Sequence, residues 1–226
     1  MGVKERHERD REAVSRSILD AARELFVTHG YQEVSIRKIA ERIEYSPAAI
    51  YSYFPSKDDI FFALAEEGFR LLFSYGESSR PAVAGDPLDA IRAMFWRYYE
   101  FSKEHPEYFA LMFLDRSVPQ ISQNWNRFGF VGEMRHEMVV RIREAIATGA
   151  FPAGTEPNAV FRVLLTSLHG AATLKICDRL ADPQNADALA RITLDTALMG
   201  LRAGSGITND LSFECTHHDH SEERQS

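Results

Sequence analysis

Side chains of metal-binding type are concentrated near the C-terminal end of the sequence. Residues from Gly204 onward are small, polar and charged, which predicts a disordered tail over 204–226. A flexible tail rarely preorganises a metal site, so we expect adventitious metal binding here and no cofactor. The residues of ligand type in this tail are Cys215, His217, His218, Asp219 and His220.

Motifs for catalysis are not found in the sequence. It has no phosphate-binding loop, no HExxH zinc motif and no nucleophile with a convincing base. His169 stands beside Gly170 in the apolar run 161–176, where a histidine is more often a satisfied core residue than a ligand or a catalyst. The sequence therefore argues against an enzyme.

An unusually aromatic stretch lies between Phe95 and Met138. Most of its side chains are expected to pack in a core. Aromatic and methionine side chains mixed with a few polar ones also form pockets for apolar or aromatic ligands, so this stretch and the apolar run after it predict such a pocket. The predicted lining residues are Trp96, Tyr99, Tyr108, Met112, Trp125, Phe128, Met134, His136, Leu165 and His169.

Two short helices with a tight turn between them are predicted over 35–54. Ser35 is a good N-cap for the first helix, and Ser46 followed by Pro47 is a start signal for the second. In a helix-turn-helix the first helix holds the second in the major groove, which requires a small residue at the crossing and apolar residues that lock the pair. Residues of these types stand at Ile39, Ala40, Ile43, Ile50 and Phe54.

The elements around this pair are also helical in pattern, and no convincing alternating strand is present in the sequence. One helix precedes the pair and stops at Gly30, and another runs from Ser56 to Gly76 before a polar linker. The sequence thus predicts an all-α fold with a three-helix headpiece and a larger helical domain. The predicted boundaries are a charged N-terminal arm over 1–12, the headpiece over 13–57, the helical domain over 58–203 and the tail over 204–226.

The stretch 18–64 resembles the headpiece of the tetracycline-repressor (TetR) family along its whole length. The remainder of the chain matches that family in size and helicity, as expected where the ligand-binding domains vary. The resemblance rests on Ala21-Ala22 and Leu25-Phe26 before Gly30, on Ser35-Ile36-Arg37-Lys38-Ile39-Ala40, on Ile50-Tyr51-Ser52-Tyr53-Phe54, and on Lys57 with Asp58.

The resemblance implies a DNA-binding role for individual residues. Arg37 matches a position that reaches base edges or phosphate, and its fork suits guanine. Positions 47, 48 and 52 match the groove-facing side of the recognition helix, whereas positions 51, 53 and 57 usually hold phosphates, which set register rather than sequence. The predicted DNA-binding set is Ser35, Arg37, Ser46, Pro47, Ala48, Ala49, Tyr51, Ser52, Tyr53 and Lys57.

The resemblance also implies partners. We expect a homodimer formed through the last two helices, bound to a palindromic DNA duplex and released from it by a small apolar or aromatic effector. A regulator controlled by a protein partner, a constitutive repressor, and an all-helical enzyme with a helix-turn-helix appendage are the alternatives.

Two departures from the family pattern affect these expectations. Glu44 occupies a turn position where the family commonly has glycine, and a left-handed non-glycine residue costs roughly 1–2 kcal/mol, which favours a differently built turn. Residues 47–52 include no Arg, Lys, Asn or Gln. This leaves a methyl contact from Ala48, the hydroxyl of Ser52, and Arg37, so DNA shape is expected to supply part of the specificity.

Charge and composition limit where DNA could bind and where the protein resides. The net charge is −7, but residues 1–57 hold 10 Lys/Arg and 9 Asp/Glu, so the acidic part is expected to face away from DNA. Within 1–12, interleaved acids and bases favour a solvated, frayed terminus over a minor-groove arm. Two cysteines, no apolar leader and no run of roughly 20 apolar residues predict a cytoplasmic protein.

Overall fold

The computed structural model describes residues 3–77, 86–121 and 125–204. These residues form helices and connecting turns, and no strand occurs among them, which confirms the all-α prediction. The helices are α1 (Val3–His29), α2 (Ile36–Arg42), α3 (Pro47–Tyr51), α4 (Lys57–Glu77), α5 (Pro87–Glu104), α6 (Pro106–Phe113), α7 (Gly129–Ala147), α8 (Pro157–Ile176) and α9 (Ala186–Arg202).

Helices α1 to α3 form the headpiece, and α4 leads from it into the body. The signals that begin these helices act as predicted: the Ser35 side chain accepts a hydrogen bond from the Lys38 amide, and the Ser46 side chain accepts one from Ala49. Asp86 does the same for Leu88 at the start of α5, ahead of a proline in the first turn. Of the predicted tail over 204–226, Gly204 is described and residues 205–226 lie outside the described residues.

The N-terminus differs from the sequence-based expectation. Helix α1 begins at Val3, so most of the segment predicted to be a frayed arm continues the helix. Lysine, arginine and glutamate favour helix, and neither glycine nor proline interrupts 4–12. Arg11 also contacts the end of the helix-turn-helix: its Nη2 donates to the Ser52 carbonyl over 3.3 Å, and its guanidinium lies 5.2 Å from the Tyr53 ring.

The body is built around α5, whose buried face includes Phe95, Tyr99 and Phe101. Helix α8 packs against α5, α7 and α9, and α6 packs against α4, α5 and α1. By length and composition α8 is apolar enough to cross a membrane, and 33% of its most apolar window is buried inside the protein. Leu174 on α8 and Ile192 and Met199 on α9 are exposed.

Candidate functional site

The helix-turn-helix geometry is present in the headpiece. Ile39 and Ala40 of α2 and Ile50 of α3 are fully buried, so they lock the two helices against each other and against α1. Ala40 is the small residue at the crossing, where a larger side chain would separate the helices. The local sequence therefore fixes α3 with one face buried and the other turned outward.

The turn between α2 and α3 keeps a left-handed residue. Glu44 has a φ of 60°. Its amide donates to the Glu41 carbonyl at 3.3 Å, and the Tyr45 amide donates to the Ala40 carbonyl at 2.9 Å. This is the hydrogen-bond pattern of a Schellman motif, in which glycine usually occupies the position of Glu44. The expectation of a differently built turn was wrong.

The outward face of α3 is uncharged and largely apolar. Pro47 and Ala48 are exposed, Tyr51 is 54% exposed, and Tyr45, just before the helix, is 44% exposed. Ser52 is exposed, but its hydroxyl donates to the Ala49 carbonyl at 2.7 Å. The predicted groove-facing positions 47, 48 and 52 thus lie together on the surface, whereas Ala49 is half-buried.

Arg37 lies on α2 with 80% of its side chain exposed. Its Nε donates to the Glu41 carboxylate over 2.8 Å. The two residues are one helical turn apart, and an exposed pair of this kind contributes only about 0.3–0.5 kcal/mol. A phosphate or a guanine edge can therefore displace Glu41 at low cost.

Lys57 is directed into the protein rather than outward. Its Nζ donates to the carbonyls of Tyr31 and Val34, at 2.9 Å and 3.0 Å, and lies 4.0 Å from the centre of the Tyr31 ring. Burial lowers the pKa of Lys57. The Tyr31 hydroxyl also donates to Asp58. Lys57 therefore ties the α1–α2 loop to the start of α4, a role that its sequence position did not indicate.

A polar group lies inside the aromatic part of the body. The Tyr98 hydroxyl on α5 and Nδ1 of His169 on α8 are 2.7 Å apart and hydrogen-bonded. The His169 ring lies 5.5 Å from that of Phe109 and 6.0 Å from that of Phe113. Burial raises the pKa of Tyr98 and lowers that of His169, so both are held neutral. We call these four residues the Tyr98–His169 cluster.

The other predicted effector residues lie around the body rather than in that cluster. Trp96 and Tyr99 face α9: the Trp96 ring is 4.1 Å from the Arg191 guanidinium, and the Tyr99 hydroxyl donates to Asp187 at 3.0 Å. Phe128 lies between the rings of Phe62 and Phe69, 6.1 Å and 5.6 Å away. Tyr108 and Met112 face α1 and α4.

Three other predicted effector residues lie outside that cluster. His136 is exposed on α7, and Met134 and Leu165 are half-buried. The Trp125 side chain lies outside what the structure describes. Tyr98, Phe109 and Phe113 were not among the predicted residues, although the spacing of Phe109 and Phe113 places them on one face of a helix. Tyr98 and His169 are 71 positions apart in the sequence, so no local signal indicated their pairing.

Several polar contacts join the headpiece to the body. Arg23 on α1 donates to the Tyr108 hydroxyl over 2.6 Å, and Gln32 donates to the Ser117 carbonyl over 2.8 Å. Arg127 donates over 3.0 Å to Asp59 in the first turn of α4, the helix that leads from the headpiece into the body. A cleft of about 610 Å³ runs along this joint between α1, the end of α2 and the start of α6. The two parts of the molecule therefore share contacts through which a shift of α6 reaches α1.

Metal ligation has no support in the parts of the chain that the structure describes. No group of three or more His, Cys, Asp or Glu residues in those ranges could hold an ion. The cysteine and histidines of the tail lie outside them.

A buried helical pair that presents one outward helix, followed by a larger helical body, defines the class of two-domain helix-turn-helix proteins. Residues 18–64 match the model of "bacterial regulatory proteins, tetR family", and residues 91–197 match a tetracyclin repressor-like C-terminal domain. Together the two matches cover roughly two thirds of the chain. The chain belongs to the tetR family of bacterial regulatory proteins, a family of regulators rather than of enzymes.

Curated relatives match about a third of the chain. The transcriptional repressor Rv1474c of Mycobacterium tuberculosis is 44% identical over 78 residues, which are 34% of this chain and 41% of that protein. The nucleoid occlusion factor SlmA of Haemophilus ducreyi is 34% identical over 77 residues, 34% of this chain and 38% of that protein. The match thus spans about two fifths of each relative's length.

Solved structures match over most of the chain. The TetR family regulator PfmR of Thermus thermophilus superimposes with a TM-score of 0.64 at 24% identity, over 81% of this chain and 95% of that one. The fatty acid degradation regulator FadR of Bacillus halodurans gives a TM-score of 0.68 at 17% identity, over 83% and 96%. At these identities the likeness establishes the fold alone, over about four fifths of the chain.

Proposed function

We propose that this protein is a DNA-binding transcriptional repressor that acts as a homodimer on a palindromic operator. The observation that carries the proposal is the outward face of α3, held by the buried contacts of Ile39, Ala40 and Ile50. A helix presented in this way fits the width of the major groove. The family membership and the repressor among the curated relatives support the same function.

The DNA-binding proposal is tested by selecting fragments from the organism's own genome and measuring their affinity. The expected product is a palindrome with half-sites at least roughly one helical turn apart. Arg37→Ala is expected to lose discrimination at one base position, by a factor consistent with about 1–3 kcal/mol. The exposed Arg141→Ala on α7 serves as the control, because it removes the same charge far from the headpiece. Failure to retain any fragment overturns the proposal.

Lys57→Ala is expected to weaken binding to all duplexes similarly. The predicted phosphate contact requires the Lys57 ammonium to exchange its two carbonyl partners for a phosphate. If it does so, the substitution makes the slope of log affinity against log salt shallower by about one. Removal of the ammonium also leaves the Tyr31 and Val34 carbonyls without this donor. The salt slope of the variant, measured beside its thermal unfolding, separates these two contributions.

Dimerisation through α8 and α9 is supported by their exposed apolar side chains. Leu174 on α8 is 41% exposed, and Ile192 and Met199 on α9 are 64% and 72% exposed. Large apolar side chains grouped on a helical pair mark an association surface. A two-fold axis through this face would bury the same patch of both copies and place two headpieces on one duplex.

An apolar or aromatic small molecule is the proposed effector, and we place its site at the Tyr98–His169 cluster. Neutral hydroxyl and imidazole groups among aromatic rings suit a ligand with one polar atom on an apolar frame. The neighbouring helix α6 carries both Phe109 and Tyr108, and Tyr108 contacts Arg23 on α1. A ligand that displaces α6 therefore acts on the headpiece.

Linkage gives a test of the effector proposal. An effector lowers operator affinity only if it prefers a headpiece arrangement that the operator disfavours, and coupling of about 1–3 kcal/mol corresponds to roughly 5- to 150-fold. Operator DNA must then weaken the effector by the same factor. Titration of ligands found in a screen, with and without operator, measures both. Ligands that bind without changing operator affinity favour control by a protein partner or constitutive repression instead.

The proposed location of the protein is the cytoplasm, because the DNA on which it acts is there.

A further inference from the structure

The segment that contains the recognition helix carries no charge. Twelve consecutive residues, 45–56, include no Asp, Glu, Lys, Arg, His, Asn or Gln, and α3 lies entirely within them. The bidentate contacts that read guanine and adenine need Arg, Lys, Asn or Gln, and acceptance from cytosine needs Asp or Glu. The side chains of α3 therefore cannot read three of the four bases in that way.

The serine hydroxyl groups near this face have hydrogen-bond partners within the chain. Ser52 donates its proton to the Ala49 carbonyl at 2.7 Å. Ser46 and Ser35 accept backbone amides of their own helices at 3.2 Å. Arg37 belongs to α2 and is paired there with Glu41, a pair that DNA can displace at low cost, so any contact it makes is separate from those of α3. The surface that remains for α3 to place in the groove is the ring of Pro47, the methyl of Ala48 and the exposed part of Tyr51.

We propose that α3 reads thymine methyl groups, so that each operator half-site holds T·A pairs opposite Pro47 and Ala48. Thymine is the base that presents an apolar group in the major groove. Guanine, cytosine or adenine at the same place would bring a donor or acceptor against these side chains and leave it without water or a partner. Exposed Tyr45 and Tyr51, before and at the end of α3, extend the same apolar surface. The inference rests on the proposed DNA-binding function.

The test changes the DNA and leaves the protein intact. Each thymine of the selected operator is replaced in turn by deoxyuridine, which removes the C5 methyl and keeps the hydrogen-bonding edge. Loss of one buried methyl is expected to weaken binding about 3- to 5-fold. Thymines in the spacer between the half-sites are the control, and their replacement is expected to change affinity less than 1.5-fold (about 0.2 kcal/mol).

A protein variant assigns the contact to α3. Ala48→Gly removes the methyl on the protein side, and its thermal unfolding shows whether the headpiece is intact. In this variant the deoxyuridine penalty is expected to fall at the contacted position and to stay unchanged elsewhere. Pro47→Ala, which keeps a good helix former at the first position of α3, is the second variant if Ala48→Gly unfolds.

The outcomes separate the two proposals. If no duplex is retained, the proposed function fails and this inference fails with it. If an operator is bound but deoxyuridine is neutral at every half-site position, DNA binding stands and methyl readout is overturned. Methyl readout is supported if the deoxyuridine penalties on affinity are confined to half-site thymines and become smaller in an α3 variant.

Discussion

At the scale of single residues, Glu44 shows a local conflict between sequence and fold. It holds the left-handed position of a Schellman motif, with a φ of 60°, where glycine would carry no steric penalty. We expect Glu44→Gly to raise the free energy of unfolding by about 1 kcal/mol, because the relief of strain exceeds the entropy lost by ordering glycine. Urea denaturation of the whole chain measures the change.

Glu44→Ala is the matched control for that substitution. Alanine removes the carboxylate but keeps Cβ, so the strain persists and stability is expected to remain within about 0.5 kcal/mol of the parent. Equal stabilisation by glycine and alanine would contradict the assignment to backbone strain and point to the charge of Glu44.

His169 is a second residue whose environment makes a measurable prediction. Burial lowers its pKa below the ordinary value of 6.5. As the pH falls through 6.5, His169 of the unfolded chain binds a proton, whereas His169 of the folded protein binds one only at lower pH. The free energy of unfolding therefore decreases as the pH falls. We expect the midpoint of urea unfolding to decrease between pH 7 and pH 5, and His169→Gln to reduce that decrease.

Exposed His136 on α7 supplies the control for this experiment. His136→Gln makes the same substitution at an exposed position outside the Tyr98–His169 cluster, so it controls for the loss of a histidine as such. Glu156, Asp59 and Asp187 have lowered pKa values, so their contributions are lost only at more acidic pH. Identical pH profiles for the parent and His169→Gln would show that His169 is not held neutral by the fold.

At the scale of helices, Gly68 sets how closely α4 approaches α6. A Cβ atom at this position would overlap Sδ of Met112 and lie 3.0 Å from Cδ1 of Tyr108. We expect Gly68→Ala to lower the free energy of unfolding by about 1–3 kcal/mol, because a methyl in a packed contact forces both helices to shift. Thermal or urea unfolding measures this loss.

Gly132 on α7 offers the comparison that isolates packing from helix propensity. A Cβ added there meets nothing within 4 Å. Gly132→Ala is therefore expected to stabilise the protein by up to about 1 kcal/mol. A stabilising Gly68→Ala of similar size would show that α4 and α6 separate without cost.

Helix boundaries were predictable where a side chain caps the backbone locally. Ser35, and Ser46 followed by Pro47, marked their helix starts because the capping interaction spans three residues. The inward turn of Lys57 and the pairing of Tyr98 with His169 were not predictable, since each depends on where distant helices meet. The start of α1 at Val3 was not predictable from charge, since interleaved acids and bases suit both a solvated terminus and a helix.

At the scale of the whole molecule, the excess negative charge lies outside the headpiece segment. The headpiece segment 1–57 carries 10 basic and 9 acidic residues, whereas the rest of the chain supplies the excess of negative charge. Four of the exposed large apolar side chains lie on α8 and α9, at Leu174, Leu189, Ile192 and Met199. Repulsion between the acidic body and phosphate thus favours an orientation in which the headpiece meets DNA, and the apolar face remains available to a second copy.

A substitution at Ile192 tests whether a second copy is needed for binding to the palindrome. It is 64% exposed and lies on one face of α9 with Leu189 and Met199. Ile192→Glu would bury a carboxylate twice across a two-fold axis, so we expect light scattering to change from dimer to monomer at micromolar concentration. Affinity for the palindrome should then fall to that for a single half-site, because the second headpiece is no longer held at high effective concentration. Val27→Glu is the control, since Val27 is a 51% exposed apolar residue on α1 and should leave the dimer intact. A dimer that survives Ile192→Glu, or a monomer that binds the palindrome as tightly as the parent, would contradict assembly through α8 and α9.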